Sequence, residues 1–222
     1  YWVAGQGEPL LLIHGFPSAS WDWHYLWQPL AQRNLVIACD MLGFGDSAKP
    51  LDHDYCLLEQ ADLQQALLEH LRVEQPVHVL AHDYGDSVAQ ELLARHYEGR
   101  FQMASCVFLN GGLFPETHRP ALVQKLLLSP LGWMIGRAFG RNALASSFNQ
   151  IFGPQTRPSE SVLDDFWSLI SCNDGPRILH KLIAYIPQRR RLRERWLTAM
   201  QRGEVPLRVI DGEVDPISGP HL

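Results

Sequence analysis

The sequence predicts an α/β fold: a mostly parallel sheet with helices on both faces. Short continuous apolar runs alternate with stretches of helical periodicity. Each run stops abruptly at a polar or glycine-rich turn. A long helix-compatible block without strand signals then separates the last two strands. Strands buried on both faces read as unbroken apolar runs, and their alternation with helices indicates parallel pairing through helical crossovers.

The first such run, Pro9-Leu10-Leu11-Leu12-Ile13, is closed by His14-Gly15-Phe16-Pro17, with helix-compatible sequence over 21–32. The second, Leu35-Val36-Ile37-Ala38-Cys39, ends at Asp40 and enters the loop Leu42-Gly43-Phe44-Gly45-Asp46-Ser47. Over 55–71, Leu57, Leu58, Ala61, Leu67, Leu68 and Leu71 recur at helical spacing. Val77-His78-Val79-Leu80-Ala81 is the third strand, followed by a helix from Val88 through His96. Ser105-Cys106-Val107-Phe108-Leu109 is the fourth, ending at Asn110-Gly111-Gly112. Helix-compatible blocks cut by Pro and Gly then occupy 119–129, 131–139, 141–151, 159–172, 176–186 and 188–201. Strand rhythm resumes with Pro206-Leu207-Arg208-Val209-Ile210 before Asp211-Gly212-Glu213-Val214-Asp215-Pro216. Residues 1–112 and 204–222 are therefore assigned to a sheet-bearing core, and 113–203 to an all-helical cap or lid. Ligands of such sheets bind beyond the carboxyl ends of the strands, where His14, Asp40, Asp83 and Asn110 converge. The chain starts mid-pattern without a methionine, and the core is expected to be incomplete at both ends.

Composition narrows the function classes. The 222 residues are 46% hydrophobic and 19% charged, with a net charge of −5, which disfavours a nucleic-acid surface. The basic run 188–195 contains Glu194 and reads as a solvated helix face. Cys39, Cys56, Cys106 and Cys172 are scattered; no metal spacing or cofactor motif is present, and reduced thiols are expected. No run reaches the roughly 18 apolar residues of a membrane span, and no signal peptide opens the chain. A cytoplasmic enzyme acting on a small apolar or amphipathic substrate is expected, without membrane association.

The chemistry concentrates at Ala81-His82-Asp83-Tyr84-Gly85. Small residues two positions either side of a reactive side chain suit a tight strand-to-helix turn, the nucleophile elbow, whose apex projects above the sheet. Asp83 occupies that apex; the alternative is a helix N-cap. Gly85-Asp86-Ser87-Val88-Ala89 also places a serine between small residues, which would make Ser87 an esterase nucleophile. It falls about one turn into the helix at roughly 3.6 residues per turn, where packing or back-bonding to the helix is the competing reading.

His14-Gly15-Phe16-Pro17, the Asp83 elbow and Gly212-x-x-Asp215 together resemble the α/β-hydrolase superfamily, in its aspartate-nucleophile branch of epoxide hydrolases and haloalkane dehalogenases. Asp83-Tyr84-Gly85-Asp86, Asn110-Gly111-Gly112-Leu113-Phe114-Pro115-Glu116-Thr117-His118-Arg119-Pro120, Phe152-Gly153-Pro154 and Thr156-Arg157-Pro158-Ser159-Glu160 resemble the mesoderm-specific transcript subfamily. The resemblance implies an α/β-hydrolase fold with a catalytic triad. Asp83 would be the nucleophile and Asp215 the triad acid, although Asp-Pro is also turn-prone. The Phe16 and Tyr84 backbone N–H groups would form the oxyanion hole, and the base histidine would lie beyond Leu222. His221 is too close to Asp215 to serve as that base.

An ionised carboxylate attacks a saturated electrophilic carbon without a base, giving an alkyl-enzyme ester that base-activated water then cleaves. Tyr84 replaces the tryptophan that holds halide in dehalogenases, which favours an epoxide over a haloalkane. A catalytically silent binding protein is the alternative from another class. Pocket or lid candidates are His14, His82, Trp133, Trp167 and Tyr185. The two histidines flank the site and read as structural hydrogen-bonding partners rather than as the general base, which should come from a loop after a further strand; Tyr185 is also compatible with a half-buried core position.

Overall fold

The computed structural model describes residues 1–219; His221 lies outside the described residues. The strands are β1 (Trp2–Ala4), β2 (Glu8–Ile13), β3 (Asn34–Ala38), β4 (Val77–His82), β5 (Met103–Leu109) and β6 (Leu207–Ile210). They form one sheet in the order β1-β3-β2-β4-β5-β6, parallel except for β1, which pairs antiparallel with β3. β1 escapes sequence reading because a three-residue edge strand carries no periodicity.

Alternate residues of each strand face opposite sides of the sheet, and the packing follows this. Leu11, Ile13, Ile37, Val79 and Ala81 point into the larger core beneath α2 (Leu57–His70) and α3 (Tyr84–Tyr97). Leu10, Leu12, Val36 and Ala38 point the other way, against Trp23 and against Trp27, Leu30 and Ala31 of α1 (His24–Ala31). Both faces are covered, so the central strands contain few polar residues. His82, the last residue of β4, lies on the Leu80 face, on the same side as Trp23.

Between β5 and β6 run α4 (Leu122–Leu127), α5 (Gly132–Ala138), α6 (Arg141–Ile151), α7 (Glu160–Ser171), α8 (Leu179–Leu182) and α9 (Tyr185–Gln201). The assignment of all of 113–203 to a lid needs a correction at its C-terminal end. Trp196 and Ala199 of α9 belong to the main core, and α9 packs along α3. The reason is electrostatic as well as apolar. Glu91 of α3 is buried and accepts from Arg95 Nε at 2.9 Å, Arg195 Nε at 2.9 Å and the Trp196 indole at 3.0 Å. The basic run at 188–195 is likewise not uniformly solvated. Arg189 is buried, Arg193 pairs with Glu116, and Arg195 pairs with Glu91 and Glu98.

Burial by itself would raise the Glu91 carboxyl, but its bonds from Arg195, Trp196 and Arg95 bring it below the ordinary carboxylate value. A depressed folded-state pKa stabilises the fold above the unfolded-state value and ceases to do so as pH falls through the folded one. Glu91→Gln is expected to cost about 2 kcal/mol at neutral pH, lowering Tm by about 4–8 °C. The deficit relative to the parent should disappear in acid, and thermal melts at several pH values measure both effects. Among the described residues no helix is long and apolar enough to cross a membrane.

Candidate active site

β4 ends at His82 and α3 begins at Tyr84, leaving Asp83 alone to make the turn at φ 51°, ψ −104°. A positive φ at a residue other than glycine stores strain that its surroundings must hold. Gly85 permits the close approach: a Cβ there would meet the Ile13 carbonyl oxygen at 2.4 Å and that of His14 at 2.7 Å. From the β2 side, the Phe16 N–H donates to Asp83 Oδ1 at 2.9 Å. From behind, buried Arg189 of α9 donates from Nη2 to the Asp83 carbonyl at 3.1 Å and from Nε to Ser87 Oγ at 2.6 Å. Tyr84, at the first position of α3, is buried against Phe44 and Tyr185.

The loop after β6 brings Asp215 to the same rim. Its Oδ2 accepts from Asn110 Nδ2 at 2.7 Å, and its Oδ1 accepts from the Ile217 and Ser218 N–H groups at 2.7 and 3.2 Å. Asn110 directly follows β5, and its backbone N–H donates to the Ile210 carbonyl across the sheet, which sets the two loops side by side.

A second polar pair was not singled out by the sequence. His82 Nδ1 stands 3.5 Å from Asp22 Oδ2, and Asp22 accepts from the Ser18 hydroxyl at 2.7 Å and the Gly15 N–H at 3.2 Å. Burial opposes charge on His82, but the hydrogen bond and charge of Asp22, with the charges of Asp83 and Asp215, lift its pKa above 6.5. Burial likewise works against an ionised Asp22, and the His82 bond and charge overcome it, so its pKa lies below the ordinary value. Asp22 sits eight residues beyond His14 in the single 3₁₀ turn Ser20–Trp23 that leads into α1, 60 positions before His82, so only the fold reveals its partner.

Asp22, His82, Asp83, Asn110 and Asp215 share the wall of a cavity of about 420 Å³. Its remaining surface is largely apolar, with Leu127, Phe139, Leu144, Phe148, Phe152, Phe166 and Leu179 supplied by the helical block. The lid candidates are mostly corrected. Trp133 is 46% exposed with Arg137 over its ring, and Trp167 leans on Phe139; neither lines the cavity. Tyr185 is fully buried below the elbow, between Tyr84, Phe16 and the Arg189 guanidinium, because it opens the core helix α9. His14 is also away from the cavity. Its Nδ1 bonds the Gly15 carbonyl and its Nε2 accepts from the Met41 N–H, which ties two strand ends together. Burial lowers its pKa despite the nearby Asp22. The lining phenylalanines did leave a sequence signal, since Leu144, Phe148 and Phe152 recur every fourth residue on and just past α6. Ser87 is buried within α3, away from the cavity.

A family model for the alpha/beta hydrolase fold matches residues 8–163. The chain belongs to the α/β-hydrolase fold family. Mesoderm-specific transcript protein of Mus musculus is 44% identical over 226 residues, covering 97% of this hydrolase-fold chain and 67% of that protein. A soluble epoxide hydrolase from Corynebacterium sp. is 39% identical over 89 residues, 40% of this chain and 30% of its own. A haloalkane dehalogenase from Sphingobium indicum is 36% identical over 98 residues, 42% and 33% of the two chains. Among solved structures, an alpha/beta hydrolase fold protein from Burkholderia ambifaria superposes with a TM-score of 0.75 at 25% identity, covering 96% of this chain and 75% of that one.

Proposed function

We propose that this α/β hydrolase opens an epoxide through Asp83. The observation that carries the reading is a carboxylate, rather than a hydroxyl, at the apex of the elbow in an apolar-walled cavity. One Asp83 oxygen attacks an epoxide carbon, the ring C–O bond breaks, and a hydroxyalkyl ester of the enzyme forms. Water then adds to the ester carbonyl, releasing a diol and restoring the carboxylate. The Phe16 N–H, already on Asp83 Oδ1 at 2.9 Å, and the Tyr84 N–H would hold the oxyanion of that second step. Asp215 is the proposed acid that orients the base, a histidine beyond residue 222. The carboxylate that Asn110 and two backbone N–H groups hold in place suits this role.

A substrate with an extended apolar body and one electrophilic end fits the cavity. Haloalkanes are the second reading, because the relatives include a haloalkane dehalogenase. Against them, Phe16 carries no side-chain donor for a departing halide, and the Tyr84 side chain is buried in the core. An esterase through Ser87 is disfavoured because its hydroxyl accepts from Arg189 away from the cavity. The retained Asp83 and Asp215 geometry argues against a silent binding protein.

A panel of aliphatic and aryl epoxides beside matched bromoalkanes tests the assignment. Diol production from the epoxides is expected, with little bromide released. Bromide release without diol would move the assignment to dehalogenation, and turnover that survives in Asp83→Ala would remove Asp83 from the chemistry.

A further inference from the structure

Opening an epoxide creates an alkoxide, which needs a proton as the C–O bond breaks. The residues of the helical block that line the cavity include no tyrosine, and Tyr185 packs in the core below the elbow. Among the described lining residues, His82 is the one side chain that ordinarily titrates near neutral pH.

Its placement suits a donor. His82 immediately precedes Asp83, and the two flank the same small residue: a Cβ on Gly15 would lie 2.8 Å from His82 Nδ1 and 3.0 Å from Asp83 Cβ. Nδ1 faces Asp22, which Ser18 and the Gly15 N–H hold in turn. This leaves Nε2 without a hydrogen bond to the described residues. We infer that His82, oriented by Asp22, is the acid that protonates the leaving oxygen when Asp83 opens the ring.

The step balances. An Asp83 oxygen bonds to carbon, the ring C–O electrons go to oxygen, and the Nε2 proton moves to that oxygen. The product is a hydroxyalkyl ester beside a neutral imidazole, which solvent reprotonates through the cavity. The charged groups around His82 favour the loaded acid: Asp22 on the 3₁₀ turn before α1, Asp83 on its own turn, and Asp215 after β6, opposed by His14 after β2. Their net effect raises the His82 pKa. The donor is therefore populated below that pKa and lost as pH rises through it.

This inference rests on the proposed epoxide chemistry, and one experiment separates the two. The protein is mixed with 1,2-epoxyhexane, quenched at intervals and read by intact mass and peptide mapping for the Asp83 adduct, across pH. His82→Gln, which keeps an amide toward Asp22, is expected to slow adduct formation by about 100-fold or more. Asp22→Asn is expected to move the upper pH limit of alkylation down by about 1 unit or more. That displacement would not follow from a merely structural role. A normal adduct on the parent, with an unchanged rate in His82→Gln or an unmoved limit in Asp22→Asn, overturns the donor assignment and leaves Asp83 in place. No adduct on the parent at any pH overturns the epoxide reading and this inference with it.

Discussion

Asp83→Asn is expected to abolish ester formation, lowering the rate of adduct accumulation by at least about 10⁴-fold. An amide oxygen keeps the size of the carboxylate and can still accept from the Phe16 N–H, but it is a far weaker nucleophile. The substitution therefore isolates charge from shape. Asparagine is among the residues that tolerate positive φ, so the strained turn at φ 51° persists and Tm should stay within a few degrees of the parent. Intact-mass kinetics beside thermal melts read both quantities. An unfolded variant would make the experiment silent about charge, and Asp83→Ser then supplies a small neutral replacement. An adduct forming at the parental rate in either variant would end the covalent reading.

Arg189→Met has the largest expected effect on stability. The Arg189 side chain is fully buried, its guanidinium carbon 4.5 Å from the centre of the Tyr185 ring, and it donates to Ser87 Oγ and to the Asp83 carbonyl. Methionine fills much of the space but leaves the Ser87 hydroxyl without its donor and the Asp83 carbonyl with only the Asp86 N–H at 3.3 Å, at about 1–3 kcal/mol for each bond lost. A loss of about 3 kcal/mol is expected, or about 6–12 °C in Tm. Burial already holds the neighbouring Asp86 carboxyl well above its ordinary pKa, with the Arg189 charge opposing that rise; removing the cation pushes it higher still. Alkylation at Asp83 should slow as well, because the strained turn loses its anchor from α9. Arg189→Lys, able to keep one bond but not both, is expected to fall between. A methionine variant melting within 2 °C of the parent would show that the elbow holds its shape without this contact.

Much of the fold is legible in the sequence because local signals and the buried pattern agree. Four apolar runs become β2, β3, β4 and β5, and the helix expected over 55–71 is observed as α2 at Leu57–His70. Asp83 stands out because small residues surround it at a turn where a strand stops, and Gly85 shows why: any side chain there collides with β2. The aromatic wall was misread for a complementary reason. Large aromatics in a helical block signal burial without saying which side of the helix faces the cavity. Trp133 turned outward, Tyr185 turned into the core, and the phenylalanines of α6 and α7 took the lining.

The sequence by itself determined the buried strands β2–β5, the elbow and the identity of its apex, because each depends on neighbours a few residues away. Only the tertiary structure decided which distant side chains reach that apex. Asp22 lies 60 positions from His82, Asn110 lies 105 from Asp215, and Arg189 lies 106 from Asp83. A hydrogen bond depends on distance and angle in space, so a partner brought in from another element leaves no periodic trace in the chain.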